Sequence, residues 1–188
     1  MDKKKKVFGA ADPGKNGAIC IIDGEKVEFK LFPKIGDEYD LKSLSEIFFN
    51  YALKYENFHF IIEDVHKLPS PMNSGDWELS ASKHILLTLV TVCQIPFTLV
   101  KPKEWQKEMW QGIPEQRKPN KTIVNKKGES ITKRGAILTK EMSKMAALRL
   151  FPNLDLRDPE RKTERAKSLH DGVIDALLMA EYCRRKFN

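Results

Sequence analysis

Three separated stretches of this chain each deliver an acid at or beside an apolar run. Residues 6–12 read KVFGAAD and finish in Asp12. Residues 60–63 read FIIE and finish in Glu63. Near the C-terminus, Asp171 and Asp175 stand four apart inside an apolar segment of helical period. A carboxylate left without compensation in such a place is costly. A hard divalent cation offsets that cost, and Mg²⁺ takes oxygen ligands. The pattern asks for a fold that brings two strand ends and a late helix together, and it points to metal-dependent nuclease chemistry.

The remaining periodicities read as α/β. Strands are expected over 7–11, 18–22 and 27–32, with a hairpin turn at Asp23-Gly24 between the second and third. Apolar residues from Leu41 to Ala52 form a helical stripe within 41–55. A short continuous apolar run at 58–63 predicts a central strand. Residues 66–76 carry Pro69, Pro71 and Gly75 and read as a loop. A helix over 77–92, a strand over 96–100 and a helix over 102–109 follow, the last opening on Pro102, where the missing N–H is harmless. Residues 112–135 are Lys-rich, with Pro114, Pro119 and Gly128, and predict an exposed excursion or hairpin. Helices over 139–150 and 169–185 enclose a charged loop at 156–167.

Bulk properties narrow the class. At 188 residues one domain spanning 1–188 is expected, long enough to bury a core. Hydrophobic residues at 41% and charged residues at 31% exclude a disordered chain. A formal charge of +7 favours a polyanionic partner. Cys20, Cys93 and Cys183 form no CxxC pair and fit free thiols in a reducing compartment, so a cytoplasmic location is expected. No apolar stretch approaches a membrane span, and no signal-like apolar block follows the N-terminal lysines.

The order of elements matches the ribonuclease H-like fold, a five-stranded mixed sheet flanked by helices. At the residue level the chain resembles the RuvC-like Holliday junction resolvases, in their phage, bacterial and plastid-type branch. The residues that carry the resemblance are Asp12-Pro13-Gly14 with Gly17, Glu63-Asp64-Val65 with Pro69, Ile95-Pro96, Val100 to Trp105, Lys140, Leu150-Phe151-Pro152, and His170 to Leu178. The chain departs from the pattern at Ser80 and His84, where the family has glycines, and in a longer, more basic 112–135. The resemblance implies a homodimer that resolves four-way DNA junctions by paired nicks. Its site would be Asp12, Glu63, Asp171 and Asp175 around two Mg²⁺ ions, replaceable by Mn²⁺, with Lys140 near the scissile phosphate. A related nuclease acting on RNA–DNA hybrids or flaps, a non-catalytic junction-binding protein and an actin-like ATPase are the competing readings. The last would need two lobes and a second phosphate loop.

Each residue also has a plainer explanation. Asp12 before Pro-Gly is a turn signal. Asp64 follows Glu63 and, if the strand continues, points to the opposite sheet face, which suggests a structural role. Asp171 and Asp175 share a helix face and repel there, and Asp171 could instead be the helix cap. Asp175 sits among Val173, Ile174, Ala176 and Leu177, where an unpaired acid does not belong. Lys140 reads equally as a solvated lysine. His170 fits a helix start better than a metal ligand. Lys101, Lys103, Lys121, Lys126, Lys127, Lys133, Arg134 and Lys144 crowd one third of the chain and are the candidate DNA contacts, although charge runs are commonly just solvated. Trp77, Trp105 and Trp110 read as core or dimer-interface aromatics.

Overall fold

Strands β1 (Val7–Ala11), β2 (Ala18–Asp23) and β3 (Lys26–Leu31) form an antiparallel meander. The structure, a computed structural model, describes residues 6–14, 16–65, 74–124, 129–160 and 168–188, with only the backbone at 74–78. The β2–β3 turn is Gly24-Glu25, and Gly24 takes a φ of +65°, a conformation glycine adopts without strain. Two-residue strands β4 (Lys34–Ile35) and β5 (Glu38–Tyr39) make a small separate pair, too short to leave a period in the sequence. Helix α1 (Leu41–Lys54) starts at Asp40, whose carboxylate accepts from the Ser43 amide at 3.1 Å and satisfies one of the helix's open N–H groups.

Next come β6 (Phe58–Glu63), α2 (Ser74–Val92), β7 (Phe97–Val100) and α3 (Pro102–Met109). Helix α2 begins three residues before the expected Trp77. The basic excursion is a hairpin of β8 (Lys121–Val124) and β9 (Ser130–Lys133). Helices α4 (Thr139–Leu150) and α5 (Asp171–Phe187) close the chain. The main sheet has the order β3-β2-β1-β6-β7, so β1 occupies the centre and β6, expected there, is its neighbour. β6 runs parallel to both β1 and β7. The expected five-stranded mixed sheet flanked by helices is what the chain forms.

Side-chain alternation splits the core in two. Phe8, Ala10, Cys20, Ile22 and Ile61 face α3, α4 and α5. Val7, Ile19, Ile21, Phe60 and Ile62 face α1 and α2. Helices thus cover both faces, which is why β1 is buried at all five positions and reads as a continuous apolar run. Cys20 and Cys183 are buried thiols, Cys93 is half-buried, and all three are free. Among the described residues no helix is long and apolar enough to cross a membrane.

Candidate active site

Parallel pairing of β1 with β6 sets Ala11 opposite Ile62, so Asp12 and Glu63 follow at the carboxyl ends of neighbouring strands. Parity fixes their direction. Asp12 continues the series Phe8, Ala10, and Glu63 continues Ile61, so both belong to the face covered by α5. Asp64 belongs to the other face. There it pairs with Lys83 of α2 at 2.5 Å, both side chains nearly buried. The structural role expected of Asp64 thus has a partner that the sequence had not singled out.

Two close approaches bring α5 to the strand ends. The amide of Asp12 donates to the Ala18 carbonyl across the β1–β2 turn. Gly17 packs so tightly there that a Cβ would lie 2.4 Å from the Asp12 carbonyl oxygen. A Cβ on Gly172 would lie 2.1 Å from the Asn16 carbonyl oxygen. The first turn of α5 therefore rests on the β1–β2 turn through a contact that only glycine permits, which carries Asp171 and Asp175 toward Asp12.

Each acid is held by a different kind of donor. The Gly14 amide donates to Asp12 Oδ1 at 3.0 Å. The indole Nε1 of Trp105, itself buried, donates to Glu63 Oε1 at 2.9 Å. The buried Ser143 hydroxyl of α4 bonds the Asp175 carboxyl, whose Oδ1 is buried without a partner. Lys140, one turn earlier on α4, pairs with Asp171. Lys140–Asp171 and Ser143–Asp175 thus make two successive cross-links between α4 and α5.

The electrostatics follow from crowding in a poorly hydrated space. Desolvation first, then the charge of Glu63, then that of Asp171, pushes the Asp12 carboxyl up to about 7 against the pull of the Gly14 amide. Burial and the Asp175 charge raise Glu63 to about 7, opposed by Trp105. Burial and the Asp12 charge raise Asp175 to about 7. Among the described residues none of the three forms an ion pair, and the Lys140 charge, which favours the ionised forms of Asp12 and Asp175, does not offset their burial. Asp171 differs. It is exposed, and the cap of α5 is not Asp171 but His170, whose ring accepts from the Val173 amide at 3.2 Å. Lys140 is exposed as well.

The donors are all oxygens and carry a surplus of negative charge, and Asp175 Oδ1 has a free lone pair aimed into the interior. In chemical type these residues fit a hard divalent cation. Among the described residues, however, no group of three or more His, Cys, Asp or Glu is already drawn together as a metal nest.

The candidate DNA contacts divide by position. Lys101 and Lys103 are exposed just beyond β7, whose Val100 pairs with Glu63, so they share the acids' edge of the sheet. Lys144 is exposed on α4, one turn after Lys140. Lys121, Lys133 and Arg134 are exposed on or beside the β8–β9 hairpin. Lys126 and Lys127 lie outside the described residues, as do 66–73 of the expected loop. Trp105 is core, and Trp110 packs edge-on against it with centroids 6.3 Å apart. The side chain of Trp77 is outside the described set. Sequence reasoning missed Ser143, Lys83 and the Trp105 hydrogen bond. A serine beside Met142 and before Ala146 and Ala147, on a helix facing an acid, was the available signal for the first.

No family model matches the chain, and no curated protein does. Among solved structures it is similar to Thermus thermophilus RuvC in complex with Holliday junction substrate. The TM-score is 0.51 at 11% identity, over 97% of this chain and 96% of that one. A further Thermus thermophilus RuvC structure gives 0.45 at 13% identity, over 96% of each chain. The first likeness defines the class: this is an α/β protein of the ribonuclease H-like fold. Within that class, the RuvC of that complex shares its architecture along nearly the whole length of both chains.

Proposed function

We propose that this chain is a divalent-cation-dependent endonuclease that resolves four-way DNA junctions by paired nicks, acting as a homodimer. The observation that carries the reading is the convergence of Asp12, Glu63 and Asp175 from three elements, each raised to about 7 and none in an ion pair among the described residues, with one Asp175 oxygen unpartnered. Such a set is costly unless it binds cations. Similarity to RuvC and the ordered motifs from Asp12 to Leu178 support the choice of substrate. A two-fold dimer would match the near two-fold symmetry of a junction.

Asp12, Glu63, Asp175 and Asp171 would hold two Mg²⁺ ions, or Mn²⁺ in their place. Such ions, when bound, supply an activated water and stabilisation of charge on the phosphate. The chain's own residues orient and balance. Gly14, Trp105 and Ser143 fix the carboxyls. Lys140, exposed at the edge of the site, can turn from Asp171 to a phosphate oxygen. Lys101, Lys103 and Lys144 extend positive charge outward from that edge.

The test is nicking of a synthetic four-way junction beside duplex, flap and RNA–DNA hybrid controls, with and without Mg²⁺. Paired, Mg²⁺-dependent nicks on the junction alone are expected. Preference for hybrid or flap would replace the junction reading with the related nuclease. Junction binding without nicking in any metal would replace it with a binding protein.

A further inference from the structure

The hairpin β8–β9 has a charge distribution that the catalytic site does not account for. Residues 116–137 hold seven Lys and Arg against one acid, a net +6 where the whole chain carries +7. The cationic surplus of the protein is therefore concentrated on one projecting segment. Its strands contain no acid. The register sets Lys121 directly opposite Lys133, an arrangement that destabilises a ladder unless an anion lies over it. Among the described residues neither lysine has an acidic partner.

The ribbon is anchored. A backbone bridge between Arg117 and Ile137 continues the hairpin toward the body. Gly135 donates to Asn120 Oδ1 at 3.1 Å, and its carbonyl accepts from Arg117 Nη1 at 2.9 Å. A Cβ there would lie 1.7 Å from the Lys118 carbonyl oxygen, so the crossing tolerates glycine alone. Glu115 binds both Arg117 and Arg134, which occupies those guanidinium groups and leaves the lysine pair available. The base adjoins α4, since the Leu138 amide bonds the Gln116 carbonyl two residues before Lys140.

Alternation puts Lys121, Lys133, Ile123 and Ile131 on one face of the ribbon. Ile131 is 43% exposed, and Val124, on the other face, 67%. An isolated two-stranded ribbon is marginal in water and gains from a covering partner. A two-stranded β-ribbon also has the width that a duplex groove admits.

Resting on the nuclease reading, we propose that β8–β9 is an arm that lies along a duplex limb of the DNA substrate, with Lys121 and Lys133 neutralising backbone phosphate. Charge complementarity selects the occupant: a net cationic ribbon whose strands carry lysines and no acid, beside a site that would cut DNA, faces the limb leaving that site.

The test uses the full chain in EDTA, so that no cleavage occurs. Fluorescence anisotropy is measured with a labelled four-way junction and a linear duplex across a salt series. Lys121→Ala/Lys133→Ala should lose about tenfold in affinity for both, and the log–log salt slope should fall in magnitude by about 2, near 0.9 per lost phosphate contact. The arginine pair Lys121→Arg/Lys133→Arg should retain binding, which separates charge from misfolding. Lys26→Ala/Lys42→Ala, on exposed positions elsewhere, should bind as wild type. Unchanged affinity and slope in the alanine pair would overturn the arm. So would loss of binding to anionic phospholipid vesicles with DNA binding intact. If the alanine pair loses duplex affinity while the wild type shows no preference for junctions in EDTA and does not nick them when Mg²⁺ is supplied, the arm stands and the junction reading fails. If the wild type nicks junctions and the pair binds as wild type, the reverse holds.

Discussion

Gly172 meets the carbonyl oxygen of Asn16 at a distance that leaves no room for a side chain, a Cβ falling 2.1 Å from that oxygen. The contact seats α5 on the β1–β2 turn and couples the Asp171/Asp175 pair to Asp12. Helix propensity alone would make Gly172→Ala stabilising by up to about 1 kcal/mol. The packing requires the opposite. Backbone on both sides means that α5 must shift, and misplacement by about 1 Å can cost on the order of a hundredfold in rate. The variant should therefore lose most nicking activity with all four acids intact, and its melting temperature should not rise. A more stable, fully active protein would show that this approach does not set the site.

Trp105 holds Glu63 by a single hydrogen bond of 2.9 Å. Trp105→Phe keeps most of the buried apolar surface and removes the N–H. That bond pulls the Glu63 carboxyl down, and even against it burial and Asp175 hold the group at about 7. Its loss should move the rising limb of the pH–rate profile to higher pH, because the ionised form becomes harder to reach. The stability cost should be about 1–3 kcal/mol, the range for leaving a buried polar group without its partner. A purely structural Trp105 would lower stability and leave the pH profile in place.

Asp12→Asn should abolish nicking while junction binding stays intact or tightens. The Asn side-chain oxygen can still accept from Gly14, so the turn keeps its hydrogen bond, and the basic surface is untouched. One negative charge fewer also reduces repulsion of the phosphate backbone. Nicking at wild-type rate would place the chemistry elsewhere.

Lys83 and Asp64 form a nearly buried pair between α2 and the end of β6. Breaking such a pair from one side leaves a charge without compensation, at a cost of about 3–5 kcal/mol. Lys83→Met should approach that loss in denaturant unfolding, and Lys83→Met/Asp64→Asn should recover part of it. Additive losses in the double variant would mean that the two groups are not coupled.

The sequence carried the parts of this architecture that depend on period. Strand alternation separated Glu63 from Asp64, and the spacing of four put Asp171 and Asp175 on one side of α5. Register was less accessible. The central place of β1 depends on pairing between residues some fifty positions apart. Lys83 and Ser143 were hidden because a polar residue within an apolar helix stripe has no visible partner until the facing element is known. Whether Asp171 capped α5 was open in the sequence, and the His170 ring accepting from the Val173 amide is what decides it.

Asp175 offers the most discriminating experiment, because its two readings predict opposite signs. Its carboxyl is raised to about 7, chiefly by desolvation and then by Asp12. In the metal-free folded state the acid therefore holds its proton more tightly than in the unfolded chain. The stabilisation this provides is fully present below the ordinary aspartate range and is lost as pH rises through about 7. Asp175→Asn removes that dependence. In EDTA the variant should melt near the wild-type temperature at about pH 5 and above it at about pH 8, where the wild type carries the buried charge. Mg²⁺ should then raise the wild-type melting temperature more than that of the variant, as expected of a ligand bound by the native state alone. If Asp175 instead serves only to accept from Ser143, the variant should be less stable at both pH values and respond to Mg²⁺ as the wild type does. Melting curves for the two proteins at two pH values, with and without Mg²⁺, decide between a metal-binding acid and a structural one without reference to any DNA substrate.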